Sequence, residues 1–175
     1  DIKYFLGCSE VAAMSGVQEI TNSDIVGTKV FDDGKYIIRQ PLNVEQGETV
    51  ELVGSSFFMD ASNGPVSITV EDGGFLKIYN GSGFPSRLFA CEEMWDGIVI
   101  EAGGKVEIYP SSTYPTEIHD AITAIEVESG NTFHPLNIRY ALFDHNYVGL
   151  RLADAQYYNS TSINDGLIGI DFKCT

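Results

Sequence analysis

No run of about 18 apolar residues occurs in this sequence, so no membrane-spanning helix is expected. The first residues, Asp-Ile-Lys-Tyr-Phe-Leu, lack a basic stretch followed by an apolar one, so a secretory leader is absent or already removed. Basic side chains are scarce: 10 Lys and Arg face 25 Asp and Glu, a net charge of −15. Phosphate backbones are held by clustered cations, which argues against nucleic acid as a partner. Only three cysteines are present, Cys8, Cys91 and Cys174, with no C-x-x-C or Cys/His ligand spacing. They read first as buried or free thiols; a Cys8–Cys91 bridge is the alternative, and Cys8–Cys174 would have to join the two ends of a rod. No G-x-S-x-G elbow is found, so a serine nucleophile has no recognisable setting.

What the sequence does have is a repeat. Val44–Leu52 (VEQGETVEL), Val70–Ile78 (VEDGGFLKI), Ile100–Ile108 (IEAGGKVEI) and Val127–Pro135 (VESGNTFHP) share one glycine-centred unit. Gly47, Gly73, Gly103 and Gly130 recur at intervals of 26, 30 and 27 residues, and a degraded copy puts Ala155 25 residues further on. Five and three positions before the glycine stand Leu42, Ile68, Ile98, Ile125 and Leu150, then Val44, Val70, Ile100, Val127 and Leu152. Three and five after it stand Val50, Leu76, Val106 and Phe133, then Leu52, Ile78 and Ile108. This is period-two alternation on two short strands flanking a turn, one face apolar in every copy. The glycine belongs where the backbone needs a positive φ.

Such a period on strand-like segments predicts an all-β fold, a single-stranded right-handed parallel β-helix of about five to six coils. Residues 1–28, which lack the unit, are expected to form an N-terminal cap, with one plausible helical turn at Val11-Ala12-Ala13-Met14; residues 29–175 form the helix. The end at Gly169–Thr175 reads as a coil barely begun, as in a piece of a longer chain.

Asn137–Leu150 (NIRYALFDHNYVGL) resembles the parallel β-helix repeat of pectate-lyase-like proteins and large bacterial surface proteins. The resemblance implies that Asn146 sits in a turn with its amide satisfying backbone groups. Cys91–Ile98 (CEEMWDGI) with Ile118–Ile125 (IHDAITAI) is similar to segments of secreted Bacteroidetes-type proteins that carry a type IX sorting domain. Over roughly residues 29–175 the likeness implies fold and a secreted or cell-surface location, not an activity.

Candidate chemistry is sparse. Glu45, Glu71, Glu101 and Glu128 form one outward column, where carboxylates about 4.8 Å apart repel by about 1 kcal/mol in water. Glu71, Glu101 and Glu128 are the residues that calcium would bridge if any ion binds, although no cofactor is required. The next column, Glu51, Lys77, Glu107 and His134, alternates in sign at its first three positions, as cross-strand pairs do. His119-Asp120 and Asp144-His145 are expected not to converge, because neighbours on a strand face opposite ways. Arg139 and Arg151 are expected on neighbouring strands, the second beside Glu126, a thin basis for a polysaccharide lyase. Tyr114, Tyr147, Tyr157 and Tyr158 lie near loops and are candidates to stack on sugar rings. The sequence therefore points to a non-catalytic scaffold or adhesin-like segment displaying binding surfaces for polysaccharide or surface glycan. The alternative is a carbohydrate-active lyase or hydrolase, with calcium as the ion it would use.

Overall fold

The computed structural model describes residues 7–109, 114–130, 135–153 and 167–173. A short helix, α1 (Cys8–Ala12), precedes β1 (Val17–Ile20) and a 3-10 turn (Asn22–Asp24). The strands then come in rotation: β2 (Thr28–Asp32), β3 (Lys35–Ile38), β4 (Leu42–Val44), β5 (Thr49–Val53), β6 (Ser56–Met59) and β7 (Ser67–Val70). Next are β8 (Phe75–Tyr79), β9 (Arg87–Ala90), β10 (Gly97–Ile100), β11 (Lys105–Tyr109), β12 (Thr116–His119) and β13 (Thr123–Val127). The last are β14 (Leu136–Arg139), β15 (Ala141–Asp144), β16 (Val148–Leu152), β17 (Leu167–Ile168) and β18 (Asp171–Lys173).

Among the described residues three sheets form: from β5 onward each strand stacks on the one three before it in the chain, and β3 stacks on β1. Their orders are β1-β3-β6-β9-β12-β15-β18, β4-β7-β10-β13-β16 and β2-β5-β8-β11-β14-β17. All the pairings are parallel, the arrangement of a parallel β-solenoid. The apolar columns are register partners: Leu42, Ile68, Ile98, Ile125 and Leu150 follow one another down the five-stranded sheet. Val50, Leu76 and Val106 do so on the six-stranded one. Leu76, Ile78, Ile98, Ile100 and Ile108 are wholly buried, each worth about 1.5–3 kcal/mol of removed apolar surface.

The glycine turns explain themselves. Gly47, Gly73, Gly103 and Gly130 have φ of 82°, 75°, 92° and 90°. In the first three copies an N–H of the residue after the glycine donates to the glutamate carbonyl three residues back (Glu48 to Glu45, Gly74 to Glu71, Gly104 to Glu101). With positive φ only at the third position, these are type II turns. The second glycine of each Gly-Gly pair has another reason: a Cβ on Gly74 or Gly104 would run into the carbonyl oxygen of Val44 or Val70 on the previous coil.

Three expectations need correction. The fourth copy does not place Phe133 under Val106: Leu136 is its partner, and Asn137 rather than His134 continues the column of Glu51, Lys77 and Glu107. Three more residues in that turn shift the register; Phe133 and His134 themselves lie outside the described residues, as does Ala155. Stacking also begins before residue 29, because β1 already pairs with β3. In that first coil the Asn22 side chain takes the place of a strand, accepting from Asn43 N–H and donating to the Pro41 carbonyl.

The cysteines are the third. Cys8 and Cys91 are joined in a disulfide with Cα atoms 5.1 Å apart, and Cys174 lies outside the described residues. The reason is a break in alternation. Ile37 and Phe58 point outward from the seven-stranded sheet and yet are buried, with Phe89 partly so. Outward apolar side chains need a cover, and Cys8 and Val11 of α1 supply it. The helix therefore lies along the flank of the sheet, pinned by the bridge and by Cys8 N–H donating to Glu92 Oε1 at 3.1 Å.

Candidate functional site

Beyond the part covered by α1, the outer face of the seven-stranded sheet becomes polar. Arg87, Glu117 and Leu142 form one outward file across β9, β12 and β15; His119, Asp144 and Lys173 form the next across β12, β15 and β18. Arg87 Nε lies 3.0 Å from Glu117 Oε2, and the same oxygen lies 3.3 Å from His119 Nε2. His119 Nδ1 is 3.5 Å from Asp144 Oδ2, and His145 Nδ1 is 2.9 Å from Asp144 Oδ1. The His119 and Asp144 side chains are only 14% and 10% exposed. Burial works to raise the Glu117 pKa, but the His119 hydrogen bond and the Arg87 guanidinium outweigh it and hold the carboxyl below its ordinary range.

Asp144 and His145 therefore do converge, against the expectation from strand alternation. β15 ends at Asp144, and His145 takes a left-handed conformation, φ 58°, which brings its ring to the same side as the preceding carboxylate. Asp120 occupies the equivalent place one coil earlier with φ 56°, so the corner is a feature of the winding. The corner is further secured from within. Asn146 accepts from Ala121 N–H and donates to the Ile118 carbonyl, both at 2.8 Å, as the asparagine resemblance implied. Trp95, fully buried, donates its indole N–H to the His119 carbonyl at 2.8 Å. These bonds fix the backbone from which His119 projects.

Two sets of three potential ligand side chains have their ligand atoms within 4.8 Å of one another among the described residues: His119, Asp144 and His145, and Cys8, Asp60 and Cys91. The second offers no thiolates, because its sulfurs are bonded to each other. Glu71, Glu101 and Glu128 sit at the first position of successive turns, and their carboxylates are not one of these sets. Of the tyrosines, Tyr114 is 46% and Tyr147 83% exposed, while Tyr157 and Tyr158 lie outside the described residues. Tyr114 lies two residues before β12 begins, and Tyr147 lies three residues after β15 ends.

The remaining candidates are engaged. Lys77 pairs with Glu51 at 3.0 Å, as the alternating column implied, and Arg151 pairs with Glu126 at 3.3 Å. Arg139 and Arg151 are not on neighbouring strands: they belong to β14 and β16, in different sheets, and Arg139 lies over the Tyr109 ring. Their separation follows from the third strand of each coil, which the glycine unit does not contain. Asn80, the first of the sequons Asn80-Gly81-Ser82 and Asn159-Ser160-Thr161, donates its side-chain amide to the Tyr114 carbonyl. No helix among the described residues is long and apolar enough to cross a membrane.

No family model matches this chain, and neither a curated protein nor a solved structure matches it significantly.

Proposed function

We propose that the chain is a segment of a secreted or cell-surface right-handed parallel β-helix of the pectate-lyase-like type, non-catalytic, which displays a glycan-binding face. The observation that carries this reading is the outer face of the seven-stranded sheet. There a strip of polar side chains is held in place by mutual ion pairs, and the chain carries exposed tyrosines, Tyr114 and Tyr147, before and after the strands that bear it. Sugar rings stack on aromatic faces and exchange hydroxyl hydrogen bonds with fixed carboxylates, imidazoles and guanidinium groups. Right-handed winding is the rule for parallel strand crossovers. The Cys8–Cys91 bridge supports an oxidising location outside the cytosol. The separation of Arg139 from Arg151 removes the one basic pair that a lyase mechanism had to offer.

A glycan array followed by affinity electrophoresis tests the reading. Binding to at least one neutral or acidic polysaccharide is expected, weakened about two- to tenfold by Tyr147→Ala, since a lost stacking contact costs about 0.5–1.5 kcal/mol. Absence of binding across the array, or release of unsaturated product from polyuronates, would overturn it.

A further inference from the structure

We propose that His119, Asp144 and His145 form a binding site for a zinc-class divalent cation on the outer face of the seven-stranded sheet. Nothing in the glycan-display reading requires this, and it stands on different observations. His119 and Asp144 are register partners on β12 and β15, so their side chains leave the same face one strand spacing apart. The left-handed corner adds His145 from the other side. Ligands on a tetrahedral zinc about 2.0–2.1 Å away lie about 3.3 Å from one another. The His119–Asp144 and His145–Asp144 contacts of 3.5 and 2.9 Å bracket that spacing, and all three ligand atoms fall within 4.8 Å.

The surroundings of His119 add to the geometry. Its Nε2 lies 3.3 Å from Glu117 Oε2, so that edge of the ring is taken up by the carboxylate. The other nitrogen, Nδ1, is the one turned toward the Asp144 carboxylate, where an ion would sit. Glu117 has the position of the outer carboxylate that orients a metal-ligating imidazole and raises its basicity. Two imidazole nitrogens with one carboxylate suit zinc and its late first-row neighbours, whereas calcium and magnesium prefer all-oxygen sets. Three protein ligands leave a fourth position for water or an incoming donor.

The test uses the tag-free chain stripped with chelator. Calorimetric titration with Zn2+ should show one ion bound per chain, and Co2+ should give the intense visible absorption of a four-coordinate site. Asp144→Asn and His145→Asn should each abolish the Co2+ spectrum; asparagine tolerates the left-handed corner, so the second variant keeps the fold. Glu117→Gln, which leaves the three ligands in place, should weaken Zn2+ binding about 10–100-fold. His134→Ala and Glu71→Gln plus Glu101→Gln should change nothing. A folded chain that binds no Zn2+, or binding that survives His145→Asn with unaltered circular dichroism, overturns the proposal.

Discussion

Reduction of the Cys8–Cys91 bond should destabilise this protein more than any single side-chain substitution on its surface. The bond closes a loop across a sequence separation of 83 residues. The loop-entropy relation gives about 4.5 kcal/mol for a closure of that length, all of it acting on the unfolded chain. For a chain of 175 residues, about 2–4 °C of melting temperature goes with each kcal/mol. Full reduction should therefore lower the midpoint by about 9–18 °C. The native state pays a local penalty as well. A five-residue helix has almost no stability of its own, and once untethered α1 is held by Val11 and Cys8 against Ile37 and Phe58 and by the Cys8 N–H to Glu92 bond. Thermal melts followed by circular dichroism, with and without reductant, measure the first effect, and titration with a thiol reagent in denaturant must show two additional thiols on reduction. Hydrogen exchange at Ser9–Ala12 and binding of a hydrophobic dye over Phe58 and Phe89 report the second. A reduced chain with the oxidised melting temperature would refute the loop argument. Alkylation of Cys8 and Cys91 in unreduced, denatured protein would refute the bridge itself.

Two further predictions test the region around the polar face. Glu117 has a folded pKa below its ordinary 4.5, because the His119 and Arg87 interactions overcome the burial that would raise it. Its contribution to stability is therefore complete above about pH 4.5 and is lost as the pH falls through the depressed folded value. Asp60 behaves alike below 3.8: burial raises it, and hydrogen bonds from Ser62 and Arg39 prevail. Urea midpoints measured from pH 6 downward should fall in that acid window, and Arg87→Gln should flatten the decline; an unchanged acid limb in that variant would dismiss the assignment. Asn146→Ala strands the Ala121 N–H and the Ile118 carbonyl at about 1–3 kcal/mol each. Urea unfolding should show a loss of about 2–6 kcal/mol, with Asn146→Asp, which keeps the acceptor, losing roughly half as much.

The strand interiors were readable from the sequence because alternation there is enforced by the pleat. Once Val44, Val70 and Ile100 are aligned on their glycines, the side-chain period of two fixes which neighbours face in, and the stacked register of the five-stranded sheet follows. The third strand of each coil was not readable in the same way. β3, β6, β9, β12 and β15 carry no glycine marker, and two of them break alternation with Ile37 and Phe58. Those two outward apolar residues were the available signal that something covers the sheet, and Cys8 and Cys91 were the signal of what. Asn22 escaped notice because its backbone-bridging amide lies in a segment that has no repeat to align.

The polar face was missed for a reason that is general to stacked coils. Its members approach through the ladder and not along the chain: His119 and Asp144 are 25 positions apart, one winding, and neither spacing nor motif marks them as neighbours. Only the register of a strand without a glycine unit brings them together. His145 enters by the opposite route, adjacent in sequence but expected on the far side, and it is the left-handed corner that returns it. Alternation holds as long as the backbone is extended and fails at the residue where the coil turns. In a solenoid the corners recur at every winding, so they are where side chains from one coil can be turned onto the face of the next. A search for sites in such a chain gains more from pairing each corner residue with the strand end one winding earlier than from reading contiguous motifs.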